Sequence, residues 1–244
     1  MNANRPHLLG LLAGLFLAGG LVASASLLTR TWLKVADAES IAVTGVARRN
    51  IESDLILWRG TVTAEGRTLL EAQSTLEGHS TALEGFLRGH GLTNFTLLPI
   101  SIQRTTRRVE KDGEVAYAEA GFRLSRTAEL RVPDIDRVLA MDADTGDLVK
   151  KGVEFTTGSP EFIWTQAGEA KVEMLADASS DARKRAEQIA SQGGRNIARL
   201  RSARMGVFQV TPLHSTVTTG DGMNDITSRS KTVTAIVHAT FALD

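Results

Sequence analysis

The sequence predicts an α+β fold of mainly antiparallel sheets with three helices, preceded by one N-terminal transmembrane helix. Three observations carry that expectation. Extended segments come in adjacent pairs with single helical segments between them, an order that favours antiparallel pairing within one mixed domain. Two long extended runs meet at Asp112-Gly113, the dipeptide that supplies the positive φ angles a tight hairpin turn requires. The chain opens on a stretch without a charge over residues 8–28, and about twenty apolar residues suffice to cross hydrocarbon as a helix.

That opening stretch divides the chain. Residues 1–7 are too few to fold and are expected as a cytoplasmic tail, 8–28 as the anchor, 29–39 as a juxtamembrane linker and 40–244 as the folded part. Arg5 before the segment and Arg30 and Lys34 after it are too evenly placed to set an orientation. Ala23-Ser24-Ala25 also satisfies the small-x-small rule of signal peptidase, so cleavage after Ala25 is the competing reading. The length of the segment favours the uncleaved anchor. Gly10, Ala13, Gly14, Ala18, Gly19 and Gly20 would let two such helices approach closely.

Beyond the anchor, periodicity assigns each element. Residues 40–66 hold two strands separated by Arg48-Arg49-Asn50, the second alternating through Ile56, Trp58, Val62 and Ala64. Residues 67–90 change to helical spacing, with Leu69, Ala72, Leu76, Leu83, Phe86 and Leu87 on one stripe and Gly89 and Gly91 at the end. The hairpin follows, with strands over 94–110 and 115–131. Arg107, Arg108, Glu110, Lys111, Glu114 and Glu119 leave neither face of its tip apolar, so the tip is expected to project into water or onto a partner.

Val132-Pro133-Asp134 starts a helix over 132–151, where Asp134 and Asp136 suit the positive end of the helix dipole. Short strands at 153–157 and 161–166 are broken by Gly158-Ser159-Pro160. An alanine-rich helix over 168–192 turns Val172, Leu175, Ala178, Ala182, Ala186 and Ile189 inward and stops at Gly193-Gly194. A strand at 195–211 and a mobile, Thr/Gly/Asp-rich loop at 214–230 precede the last strand. There Val233, Ala235, Val237, Ala239, Phe241 and Leu243 alternate with Thr232, Thr234, Ile236, His238 and Thr240.

Composition removes several classes of function. With 244 residues and 42% hydrophobic content the chain can bury a sizeable core. Lys plus Arg equals Asp plus Glu at 28 each, so no global field gathers nucleic acid. The absence of cysteine excludes disulfides, thiol nucleophiles and thiolate metal sites. The five histidines lack ligand spacing. Gly78-His79-Ser80-Thr81-Ala82 falls one residue short of a nucleophile elbow and lies within a helix, where it reads as ordinary surface. Asp142, Asp144 and Asp147 do not make a calcium loop, because Asp147 stands at the glycine position and Val153 at the bidentate acid; a solvated helix face is the simpler reading. No catalytic residue, cofactor or metal is therefore expected, and a hydrolase assembled only on folding is the least favoured reading. Arg199, Arg201 and Arg204, with Arg183, Lys184 and Arg185, read first as strand and helix faces in water paired with Glu and Asp, and in the alternative as a positive patch for acidic headgroups or a second subunit. They lack the interleaved aromatics of a nucleic-acid groove.

With the elements in this order, the chain resembles the SIMPL-domain family of bacterial envelope proteins. The resemblance rests on residues 41–47, IAVTGVA, followed by ESDLILW at 52–58. It rests equally on the helix ending at Gly193-Gly194, on IARLRSARMGVF at 197–208 and on the strand opening Lys231-Thr232-Val233. The close of the chain, Ala239-Thr240-Phe241-Ala242-Leu243, is less aromatic than that family's ending. The resemblance implies an α+β fold, a periplasmic location behind an anchor or signal, and homo-oligomers. It also implies a link to envelope and oxidative stress rather than to a known reaction.

Together these readings describe a single-pass inner-membrane protein with a periplasmic domain, not an enzyme, acting through self-assembly or through binding of envelope components. Contacts are expected on the hairpin through Arg104, Arg107, Arg108 and Glu119, at Arg199, Arg201 and Arg204, and on the 214–230 loop. The alternative is a small-molecule or lipid binder with a cleft lined by Trp58 and Trp164.

Overall fold

The computed structural model describes residues 6–36, 39–111, 114–215 and 222–244. In chain order the elements are α1 (Pro6–Ala36), β1 (Ser40–Glu52), β2 (Leu55–Gly66), α2 (Leu69–Gly89), β3 (Phe95–Leu97), β4 (Ser101–Lys111) and β5 (Glu114–Val132). They continue with α3 (Ile135–Ala143), α4 (Gly146–Lys150), β6 (Glu154–Thr157), β7 (Glu161–Ile163), α5 (Ala167–Gln192), β8 (Ile197–Pro212) and β9 (Ser230–Leu243). The chain divides into two compact units, each drawn from separate stretches. One comprises Met1–Ala47, Leu175–Gly206 and Ala235–Asp244, and the other Arg48–Met174 and Val207–Thr234.

α1 carries an apolar run, Gly10–Thr29, long and apolar enough for a single-pass anchor or a signal sequence. Ser26 Oγ donates to Ala23 O and Thr29 Oγ1 to Ala25 O, each at 2.8 Å, so these two hydroxyls are satisfied within the helix.

A six-stranded sheet is organised around β5, which pairs antiparallel with β2 from Ile56↔Val132 to Gly66↔Phe122. β3 and β4 line the other side of β5, and β6 and β7 the other side of β2. One face of this sheet buries Ile56, Trp58, Val62, Ala64, Leu124, Ala128 and Leu130 against α2, α3 and α4. α2 starts where Thr68 Oγ1 accepts the Glu71 N–H, while the Glu71 carboxylate takes the N–H of Arg67, a near relative of the capping box. Leu69, expected on the buried stripe, is exposed; Ala72, Leu76, Ser80, Leu83 and Leu87 are the buried positions.

A second sheet has the order β1-β9-β8. Its strands are antiparallel: Ser53 N–H reaches Arg229 O at one end of the β1–β9 pair, and Leu243 N–H reaches Glu39 O at the other. The Ala178, Ala182 and Ala186 side chains of α5 pack on Val237, Ala239 and Phe241 of β9. Asp181 Oδ2 accepts the Val46 N–H at 2.8 Å and Arg185 Nε at 2.7 Å. These bonds, the Val46 amide first, hold its carboxyl below the usual range against the opposing effect of burial.

Several sequence expectations need correction. Four helices follow α1 rather than three, because the helix expected over 132–151 breaks at Asp144-Thr145. There Asp144 N–H turns back to Met141 O, and Thr145 bonds Asp142 O through both its N–H and its Oγ1. The β1–β2 break falls at Ser53-Asp54, not at Arg48-Arg49-Asn50. Asp54 is held off the strand by Thr165, whose N–H and Oγ1 both donate to its carboxylate, while Arg49 lies in the exposed strand paired with Glu173. On α5, Val172 and Ile189 are exposed; the buried face runs Ala170, Met174, Ala178, Ala182, Ala186, Ala190. Four-residue spacing of small side chains is what close approach of a helix to a sheet selects.

The Gly78–Ala82 segment is likewise not ordinary surface. His79 Nδ1 lies 2.7 Å from Thr63 O, and Ser80 is buried with its Oγ lacking a hydrogen-bond partner among the described residues. A desolvated hydroxyl without a partner opposes folding. Ser80→Ala is therefore expected to leave stability unchanged or raise it by up to about 1 kcal/mol, read from the urea midpoint of the full chain in detergent.

Candidate functional site

The most distinctive surface is built by β4 and β5. β2 ends opposite Phe122, so the part of β5 before that residue pairs with β4 alone. At this point the β4–β5 register shifts between Thr105 and Thr106. Gly121 adopts φ 149°, and a Cβ there would collide with Gly66 O. Only glycine tolerates that approach, and the resulting bulge lets the two strands leave the sheet as a ribbon.

Within the ribbon Thr106 faces Glu119, Arg108 faces Tyr117 and Glu110 faces Val115, so these six share one face. Ile102, Val115 and Tyr117 are 56%, 50% and 73% exposed, although large apolar side chains are normally sheltered. Arg104, Arg107, Arg108 and Glu119 are exposed, and none makes an ion pair among the described residues. The turn residues Asp112 and Gly113 lie outside the described residues. All four hairpin positions singled out from sequence thus sit together on one projecting element.

The second expected group is divided. Arg183, Lys184 and Arg185 line a cleft of about 820 Å³ with Gln188, Ser191, Asn196 and Ile197. Two of those cations are already paired, Arg183 with Glu187 at 2.9 Å and Arg185 with Asp181 at 2.7 Å. Arg204 lines a different cleft, about 480 Å³, beside Thr44, Ser202, His238 and Thr240, where Thr44 Oγ1 meets His238 Nδ1 at 3.0 Å. Arg199 and Arg201 are exposed on β8 and line neither cleft. Linear spacing suggested one patch; strand geometry sends neighbouring side chains to opposite faces.

The tryptophans separate as well. Trp58 is fully buried, donates Nε1–H to Asp142 Oδ1 at 2.6 Å and stacks on Phe155 at 6.2 Å. It is a core anchor, and Asp142 is its partner rather than part of a solvated face. Trp164 lines a cleft of about 340 Å³ with Arg49, Ile51, Glu52 and Gln166, without Trp58.

Sequence reasoning missed one buried ionic cluster. Lys231 is 1% exposed and its Nζ donates to Phe162 O at 2.7 Å and to Asp225 O. Asp225 accepts the N–H and Oγ1 of Thr227 at 2.9 and 2.7 Å and the N–H of Ser228 at 3.2 Å. Burial pushes the Asp225 carboxyl up, yet the Thr227 and Ser228 bonds and Lys231 together leave it below the ordinary range. Desolvation lowers the lysine, with Asp225 opposing. A signal was present: Lys231 stands two residues before Val233, in phase with the buried face of the last strand.

This cluster corrects the expected mobile loop at 214–230. Residues 222–229 are fastened by Val210 N–H to Met223 O, Asp225 N–H to Val210 O and Phe162 N–H to Ile226 O, at 2.7, 2.9 and 2.7 Å. Residues 216–221 of that loop lie outside the described residues. Among the described residues no group of three or more His, Cys, Asp or Glu side chains is placed to hold a metal ion.

An apolar N-terminal helix, two antiparallel sheets each covered by helices on one face, and an exposed β-ribbon define the class: an α+β protein with a segment fit for an anchor or signal. The family model SIMPL, described as a protein of unknown function (DUF541), matches residues 41–241, and the chain belongs to that family. No curated protein matches it.

Proposed function

We propose that this protein is a non-catalytic module held in the inner membrane by residues 8–28, with its C-terminal domain in the periplasm. It works by binding further copies of itself and other envelope components, in the setting of envelope and oxidative stress that its family resemblance implies. The observation that supports this best is the β4–β5 ribbon. It leaves the sheet through a glycine bulge and carries the exposed Val115 and Tyr117 beside arginines that make no ion pair among the described residues. Such a surface has hydrophobic area and charge available for a partner.

The test is crosslinking in intact cells followed by identification of what is attached, alongside a reporter fused after Asp244 to read the side of the membrane. The reading expects crosslinked species containing this chain and a reporter active outside the cytosol. A reporter active only in the cytosol overturns the location, and a protein that stays monomeric at high concentration and captures no envelope protein overturns the mode of action.

A further inference from the structure

We infer that the ribbon is a charge-sorted joint that adds strand to strand between copies of this chain, β4 of one copy lying beside the first part of β5 of the next. This rests on the self-assembly reading above and specifies its geometry. Among the described residues both long edges of the ribbon are open: β4 pairs only with β5, and β5 before Phe122 pairs only with β4. An open edge is a row of unpaired backbone donors and acceptors, which another strand can complete.

The two edges differ in charge. Among the described side chains, β4 carries Arg104, Arg107 and Arg108 against Glu110, whereas β5 from 115 to 121 carries Glu119 and no basic residue. A β4–β4 joint would bring two net-positive strands together, and a β5–β5 joint would bring the Glu119 strands of two copies together. Like charges on neighbouring strands are unfavourable and opposite charges favourable. The β4-to-β5 joint sets the net-positive strand against the net-negative one. It would also shelter Val115 and Tyr117, which share the face that carries Arg108 and Glu119. Because the two surfaces differ, the joint is head-to-tail, and its repetition gives a ring or a filament rather than a closed two-fold dimer.

The chain contains no cysteine, which makes a disulfide test clean. Two differently tagged full-length chains are co-expressed, one with Thr106→Cys and the other with Tyr117→Cys or Ala118→Cys to sample both faces, and membranes are oxidised. The expected product is the mixed dimer, in excess over either like-with-like dimer. Arg108→Glu in the chain that offers β4 should lower its yield roughly fivefold, as a favourable charge pair becomes an unfavourable one, and Glu119→Arg in the other chain, which offers β5, should restore it. Thermal unfolding within a degree or two of the parent verifies that each variant is folded.

A dominant β4–β4 or β5–β5 dimer overturns the proposal. If light scattering shows an oligomer in detergent while no ribbon crosslink forms, the joint lies elsewhere; the proposal fails and the self-assembly reading stands. A monomer at high concentration removes both.

Discussion

Gly45→Ala is expected to lower stability by about 3 kcal/mol, the upper part of the range for overpacking a well-filled contact. The added Cβ would fall 2.5 Å from Ala182 N and 2.7 Å from Ala182 Cβ, and closer still to Ala178 O. These are backbone atoms and the stub of the smallest side chain, so no rotamer change can make room. α5 would have to move off β1, loosening its alanine face from Val237, Ala239 and Phe241. The control is the same exchange on α2: Gly78 has no atom within 4 Å of an added Cβ, and Gly78→Ala should raise stability by about 0.5–1 kcal/mol through helix propensity alone. Urea midpoints of both full-length variants in detergent decide the matter. Equal shifts for the two would show that β1 and α5 are not so closely packed.

Trp58→Ala is expected to cost about 3–5 kcal/mol, the range for deleting a large buried aromatic. The indole is fully buried, stacks on Phe155 and occupies space over Gly60 that a Cβ at that residue would invade. Its polar edge is equally committed, since Nε1–H is satisfied by Asp142. Asp142→Ala should therefore cost about 1–3 kcal/mol by stranding a buried donor, and Asp142→Asn much less, because an amide oxygen still accepts. Trp58 fluorescence should shift to the red in the alanine variant as water reaches the indole. Wild-type stability in Asp142→Ala would show that the bond contributes nothing.

The candidate surface was partly legible before any coordinates. Arg104, Arg107, Arg108 and Glu119 could be assigned to a projecting hairpin because strand alternation there leaves no apolar face, and an element with no apolar face has nothing to bury. The arginines of β8 could not be placed in the same way. Whether Arg204 shares a cleft with Arg183 or with His238 depends on the strand's neighbours and its phase, which lie far away in sequence. Lys231 was placed at the opening of the last strand without a partner, although its alternation phase pointed inward, toward the two carbonyls it meets, Phe162 O and Asp225 O.

What the amino-acid order settled alone is whatever depends on a local period or a local composition. That includes the apolar opening helix, the helical and extended segments, the glycine and Asp-Gly turns, the α+β class and the family stretches from Ile41 to Phe208 and beyond. Tertiary structure decided what depends on approach between distant segments. The break of one expected helix at Asp144-Thr145, the rotation of α5 onto its alanine face, the bond of Trp58 to Asp142 and the open edges of the ribbon are of this kind. Side-chain burial is a property of pairs of surfaces, and one sequence specifies only its own half of each pair until the chain brings the other half into place.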